Sequence, residues 1–215
     1  MASTRTKMLT SSLAAVALLL GCADVPSTGP TPPDLRAEFR FVNAAPELGN
    51  VQVSVDGVAR GSIDFAGNLN HQSYPAGSRS VALSNGETQF VAMPTNARGT
   101  VVLLPAAAGA PREFFNLAER RIFDAPRTAL RVLNFNTTYA VVVRVKAGAD
   151  TVSTTNLAYK GDSGYQNLAA GTYDIEVKNA ADGAVLTTTS VNVTTSHTTM
   201  ILGNAAVAVS NLSDN

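Results

Sequence analysis

Val51-Gln-Val-Ser-Val55 alternates apolar and polar residues without a break, and so does Tyr173-Asp-Ile-Glu-Val-Lys178. In the second stretch Tyr173, Ile175 and Val177 fall on one side, and Asp174, Glu176 and Lys178 on the other. A period of two is the period of a β-strand, so each segment sets one face in a core and the other in water. The Thr- and Val-rich segments 187–193 and 198–202 fit strands by packing preference. Asp56-Gly57 and Asp182-Gly183 supply turns between strands. The chain holds 1 cysteine among 215 residues, so no internal disulfide can form and the fold must rest on its apolar core. Only residues 112–123 fit neither the strand nor the helix period; they read as a connector, with a helix there left open.

The pattern occurs twice. Phe39-Arg-Phe-Val-Asn43 lines up with Leu130-Arg-Val-Leu-Asn134, and Val51, Val53 and Val55 with Val141, Val143 and Val145. Segment 63–67 matches 157–161, and 75–83 matches 169–177. Near the end of each unit, TNARGTVVLL matches TSHTTMILG. Each unit is roughly 90 residues, the size of a small β-sandwich. The expected fold is all-β: a sandwich with its connector over residues 36–126, and a second over 127–215.

The N-terminus reads differently. Arg5 and Lys7 precede the apolar run Leu13 to Leu20, which is too short to span a bilayer and fits a secretory signal over residues 1–21. The run ends in Leu19-Leu20-Gly21-Cys22, which resembles the lipobox of bacterial lipoproteins. That resemblance implies cleavage before Cys22, lipidation of its thiol and anchoring by acyl chains. Ala23 after the cysteine permits outer-membrane export, where an aspartate would have argued for the inner membrane. Residues 22–35 are a flexible tether, too rich in proline and glycine for helix or paired strand.

The order xRVxNxxP, V-x-V-x-V, L-x-Y/F-x-G, A-G-T-Y-x-x-x-V resembles the bacterial envelope domain of unknown function numbered 4397, over about residues 38–205. Such domains often occur in tandem behind a lipobox. The resemblance implies two tandem immunoglobulin-like β-sandwich domains in an extracytoplasmic setting, and no activity. Asn43-Ala-Ala-Pro46-Glu47 carries the family loop, whereas Asn134-Phe-Asn-Thr-Thr138 departs from it.

Removing residues 1–21 takes the basic count from 16 to 14 against 16 acidic residues, a net charge of about −2. That gives no electrostatic case for nucleic acid as a partner. His71 and His197 have no second ligand at metal spacing and read as exposed strand-end residues. No catalytic motif, metal set or cofactor loop stands out, and the chain reads as a non-enzyme with no cofactor. The work expected of it is non-catalytic binding or a structural role, with envelope protein or polysaccharide as partner. The alternative is a carbohydrate-binding module of a polysaccharide-handling complex. There is no tryptophan to stack on sugars. Phe39, Phe41, Phe65, Tyr159 and Tyr173 read as core. Phe114, Phe115 and Phe123, with Arg112, Arg120 and Arg121, read as the seal between repeats. A binding surface is expected in the first repeat, where its loops differ from the second, with Asn43, Pro46, Glu47 and His71 as contributors.

Overall fold

The computed structural model describes residues 34–119 and 128–214. Cys22, the signal and most of the tether lie outside the described residues, as do Arg120, Arg121 and Phe123.

The described chain is all-β. The first half supplies β1 (Arg36–Asn43), β2 (Val51–Val55), β3 (Val58–Ile63), β4 (Asn68–Pro75), β5 (Gly77–Leu83), β6 (Thr88–Met93), β7 (Arg98–Leu103) and β8 (Phe114–Ala118). The second supplies β9 (Ala129–Asn134), β10 (Val141–Ala147), β11 (Asp150–Leu157), β12 (Gly161–Asp162), β13 (Gln166–Asn167), β14 (Gly171–Asn179), β15 (Val185–Val193), β16 (Ser196–Gly203) and β17 (Val207–Ser213). Strand order is β4-β1-β7-β8 facing β3-β2-β5-β6 in the first half, and β12-β9-β16-β17 facing β11-β10-β14-β15 in the second. The alternating segments are β2, β10 and β14, whose apolar residues point inward and whose outer residues meet water.

The two halves repeat residue by residue. Val53 pairs with Leu83 in one, and Val143 with Val177 in the other. Phe39 pairs with Gly99, and Leu130 with His197. Gly77 pairs with Met93, and Gly171 with Val193. A left-handed residue precedes the matched glycine in each, Ala66 (φ 61°) before Gly67 and Lys160 (φ 61°) before Gly161.

Three buried clusters result. Each sandwich has its own, centred on Phe39, Phe41, Val53, Tyr74 and Leu103 in the first and on Leu130, Val143, Tyr173, Ile175 and Val177 in the second. The third lies between the halves. It takes Val42, Ala44, Val102, Leu104 and Leu117 from the first, and their register equivalents Leu133, Phe135, Met200, Leu202 and Leu212 from the second. The same surface of each repeat is therefore buried against the other, as in an isologous dimer, but within one chain. Residues Leu35–Asn215 form one compact unit.

This seam corrects the reading of 112–123. Residues 114–118 are strand β8, paired antiparallel to β7, with Val102 opposite Phe115. Phe114 points into the first sandwich, while Leu117 and Phe115 pack at the seam. β8 is an edge strand in which Phe114 and Leu117 are buried on opposite faces while Asn116 and Ala118 are exposed, so its apolar residues follow no single period.

Candidate functional site

Asn43 is fully buried. Its Nδ2 donates to the carbonyls of Gly49 (2.9 Å) and Ile63 (3.5 Å), and its Oδ1 accepts from the Ala45 amide (3.0 Å). Asn134 does the same for Tyr139 (2.9 Å), Leu157 (3.1 Å) and the Asn136 amide (3.0 Å). Asn43 is thus a structural clamp common to both repeats and has no surface to offer a ligand, which corrects its assignment as a binding residue. Asn43→Ala and Asn134→Ala should each cost about 1–3 kcal/mol, since each strands buried carbonyls. Equal losses in chemical-denaturation midpoints would check the equivalence, and an Asn43→Ala protein as stable as the parent would refute the clamp.

His71 is not an exposed strand-end residue. It lies inside β4, with Nε2 2.9 Å from Glu119 Oε2 and Nδ1 3.1 Å from Arg98 Nη2. Glu119 belongs to a buried ionic cluster at the polar end of the seam. Arg40, 2% exposed, sends Nε to Thr100 Oγ1 (2.8 Å) and Nη1 to the Ser213 carbonyl (2.6 Å). Its Nη2 meets Glu119 Oε1 (2.8 Å) and Asp214 Oδ1 (2.5 Å). Thr100 also donates to Glu119. In the second repeat Thr198 (2.7 Å) and Tyr165 (3.0 Å) donate to Asp214 Oδ2. Arg131, the counterpart of Arg40, sends Nη1 to the Ala118 carbonyl at 3.0 Å. The cluster is thus two-fold in design: Arg40 and Arg131, Thr100 and Thr198, Glu119 and Asp214, His71 and Tyr165. The symmetry breaks at Arg131, which pairs with Asp162 (2.5 Å), whose register counterpart in the first repeat is the neutral Asn68.

Burial raises the Glu119 carboxyl, but His71, Arg40 and Thr100 outweigh it and hold Glu119 below the ordinary value. Burial raises Asp214 as well, and there Arg40 and Thr198 do not fully offset it. Burial, with Asp214 adding to it, pushes the Tyr165 hydroxyl up to about 12. The Glu119 and Asp214 side chains are 0% and 1% exposed, so this carboxylate pair is closed to a substrate.

Pro46 and Glu47 sit elsewhere, on the short 3-10 helix Pro46–Leu48. Glu47 Oε1 accepts from the Ala106 amide (2.9 Å) and from Arg112 Nη1 (2.9 Å). Burial works against the Glu47 carboxylate, yet the Ala106 amide and Arg112 together hold its pKa below the ordinary value. The buried Arg112 also sends Nη1 to the Leu104 carbonyl (2.6 Å) and Nε to Glu87 Oε2 (2.8 Å). Beside it lies an open groove of about 180 Å³, lined by Glu87, Thr88, Gln89, Ala106, Ala110, Pro111 and Arg112. Gln89 closes the groove's inner wall by donating to the Arg112 carbonyl and accepting from the Phe114 amide (3.2 Å).

Of the residues expected to share one surface, then, Glu47 is at this groove, Pro46 is beside it in sequence, and His71 and Asn43 are in the interior. Sequence reasoning missed Glu87 and Gln89. The available signal was length: residues 104–113 join β7 to β8, whereas only 204–206 join β16 to β17. Among the described residues no group of three or more His, Cys, Asp or Glu is placed to hold a metal ion.

The chain matches no protein-family model and no curated protein. Among solved structures it is similar to the Bacillus anthracis TIE protein, at 12% identity and a TM-score of 0.30, over 79% of this chain and 34% of that one. A likeness at that level carries nothing over to this chain.

Proposed function

We propose that this is a lipid-anchored protein of the bacterial cell envelope, related to the tandem envelope domains numbered 4397. It is held at the outer membrane by acylated Cys22 and does non-catalytic binding or structural work. The observation that carries this reading is the position of the only thiol in the chain. Cys22 ends a short apolar run as Leu-Leu-Gly-Cys and opens a Pro-rich stretch leading to an all-β body. Acyl chains contribute about 0.8 kcal/mol per buried CH2, so more than one makes attachment stable. The polar groups of the seam are paired with one another, which suits a scaffold better than a reaction centre and leaves recognition to the loops and edges.

Cells fed a radiolabelled fatty acid should label the parent, and Cys22→Ser should abolish labelling and block processing. Mass spectrometry of the mature N-terminal peptide showing an unmodified Cys22 would overturn the anchor. The carbohydrate-binding alternative is favoured by one observation, the exposed Phe90 beside the groove.

A further inference from the structure

The groove exists in the first repeat alone, because the 104–113 loop that forms one wall has no counterpart in the second. Arg112 is fixed in that wall by the Glu47, Leu104 and Glu87 contacts, which use Nε and Nη1. Its remaining amino group, Nη2, has no partner among the described residues. It is also not one of the sealed, unpartnered side-chain atoms, which are Arg60 Nε, Arg79 Nε and Glu176 Oε1. The Arg112 side chain is only 3% exposed, so this preorganised guanidinium offers one narrowly reachable donor in the wall of the groove it lines. Both Glu87 oxygens are already engaged, Oε1 accepting from Asn85 Nδ2 (3.0 Å) and Oε2 from Arg112, but the side chains of Glu87 (35% exposed) and Glu47 (47%) still turn remaining lone pairs to water.

Phe90 adds an apolar platform. It lies two residues beyond the groove-lining Thr88, on the same outer face of β6. At 78% exposure it is the most exposed large apolar side chain among the described residues. Its cross-strand partner is Ser80, and its face carries Ser78, Ala82 and Ala92, so no neighbour can cover the ring. The equivalent position in the second repeat is Ser190, opposite Asp174. A lone exposed apolar residue needs no explanation; Phe90 is singled out by its place beside a groove whose 104–113 wall has no counterpart in the second repeat.

We propose that this edge groove binds a neutral polysaccharide, with Phe90 stacking on a sugar face and Arg112 and Glu87 bonding its hydroxyls. The local charge decides against an anionic chain: one guanidinium stands between two carboxylates. A hydroxyl both donates and accepts, so it satisfies the open Arg112 amino group and a Glu87 oxygen alike. An extended peptide would have to displace Asn116 at the β6 edge, whose Nδ2 already donates to the Ala92 carbonyl at 2.7 Å. The groove walls are held by their own contacts, so little ordering opposes binding. This inference rests on the binding reading above and names its site and ligand class.

The test is affinity electrophoresis of the full chain in gels containing dextran, laminarin or hydroxyethylcellulose, with alginate as the anionic comparison and a random-coil peptide in solution as the third arm. At least one neutral polymer should retard the parent. Phe90→Ala should weaken that binding at least tenfold with an unchanged melting temperature, and Glu87→Gln several-fold in a protein that still melts cooperatively. Ser190→Phe added to Phe90→Ala should not restore binding, because that position has no groove. The inference is overturned if no neutral polymer binds, if either variant binds like the parent, if Ser190→Phe restores binding, or if only alginate or peptide binds. Envelope material recovered equally by parent and Phe90→Ala would keep the binding reading and remove this groove from it.

Discussion

Arg40→Met should destabilise the protein by about 3–5 kcal/mol at pH 7, because it leaves Glu119 and Asp214 buried without their shared cation. At about 2–4 °C per kcal/mol for a unit of this size, the melting temperature should fall by roughly 10 °C. The loss should depend on pH in a definite sense. In the parent, Glu119 is held below its ordinary value of 4.5, so its contribution is present above that pH and lost on acidification. Asp214 is raised above its ordinary 3.8, so the folded protein holds that proton more tightly and loses stability as pH rises through that region. The two groups oppose each other in the parent. Without Arg40, Asp214 loses its main opposing charge and is raised further, and Glu119 keeps His71 and Thr100 but loses one of the groups that hold it down, so both carboxyls shift toward favouring the fold at low pH. The deficit of Arg40→Met should therefore be largest at pH 7 and shrink toward pH 4. Replacing Glu119 and Asp214 by leucine in the same chain should recover much of it, since apolar side chains can fill such a site at little cost. A pH 7 melting curve for Arg40→Met within 1 kcal/mol of the parent would remove Arg40 from the centre of the seam.

That cluster shows what a sequence hides. The outer strands were legible because water marks one face: β2, β10 and β14 alternate, and their cores follow at once. Strands β1, β7, β9 and β16 are buried on both faces, against their own sandwich and against the seam. Their sequences mix apolar residues with Arg, Glu, Thr, Ser and His in no regular alternation, so they give no hint of a second interface. One signal was present. Arg40 and Arg131 recur at the same place, each between apolar neighbours in its strand, and a buried arginine needs a carboxylate. Its partners could not be found by repeat matching, because Glu119 and Asp214 differ in type and each follows the last strand of its unit. Asn43 was legible as a repeated residue and misread as a contact. Asparagine at a strand end serves backbone carbonyls as readily as ligands, and only its burial separates the two uses. Glu47 was found through loop dissimilarity, the same criterion that the 104–113 insertion meets more strongly. Phe90 sits on the wet side of its strand. It opens the apolar run Phe90-Val-Ala-Met93, so its exposure was not legible from the sequence, and its neighbour groove depends on a loop whose path no local pattern describes.

Val53→Asp should unfold the first sandwich and take the second with it. Val53 is 0% exposed in the first core, between Leu83 on β5 and Gly61 on β3. The described residues of that core cluster are apolar apart from the Tyr74 hydroxyl, which already donates to Gln72 Oε1, so the aspartate must be buried neutral or drive the sheets apart. The loss of apolar burial costs about 1.5–3 kcal/mol, and the unpaired polar group adds several more. Domains are stable by only about 5–15 kcal/mol, so this consumes most of the margin. The consequence for the second half follows from the seam. Leu133, Phe135, Met200, Leu202 and Leu212 are each less than 6% exposed only because the first repeat covers them, and Asp214 depends on Arg40 across the same surface. A second sandwich left alone would face water with that surface and with a half-empty ionic site. Parent and variant should therefore each unfold in a single transition, by both near-ultraviolet circular dichroism and calorimetry, with the variant's at far lower denaturant. A Val53→Asp protein showing two transitions, the later one at the parent's midpoint, would mean that the sandwiches are thermodynamically independent and that the seam contributes little.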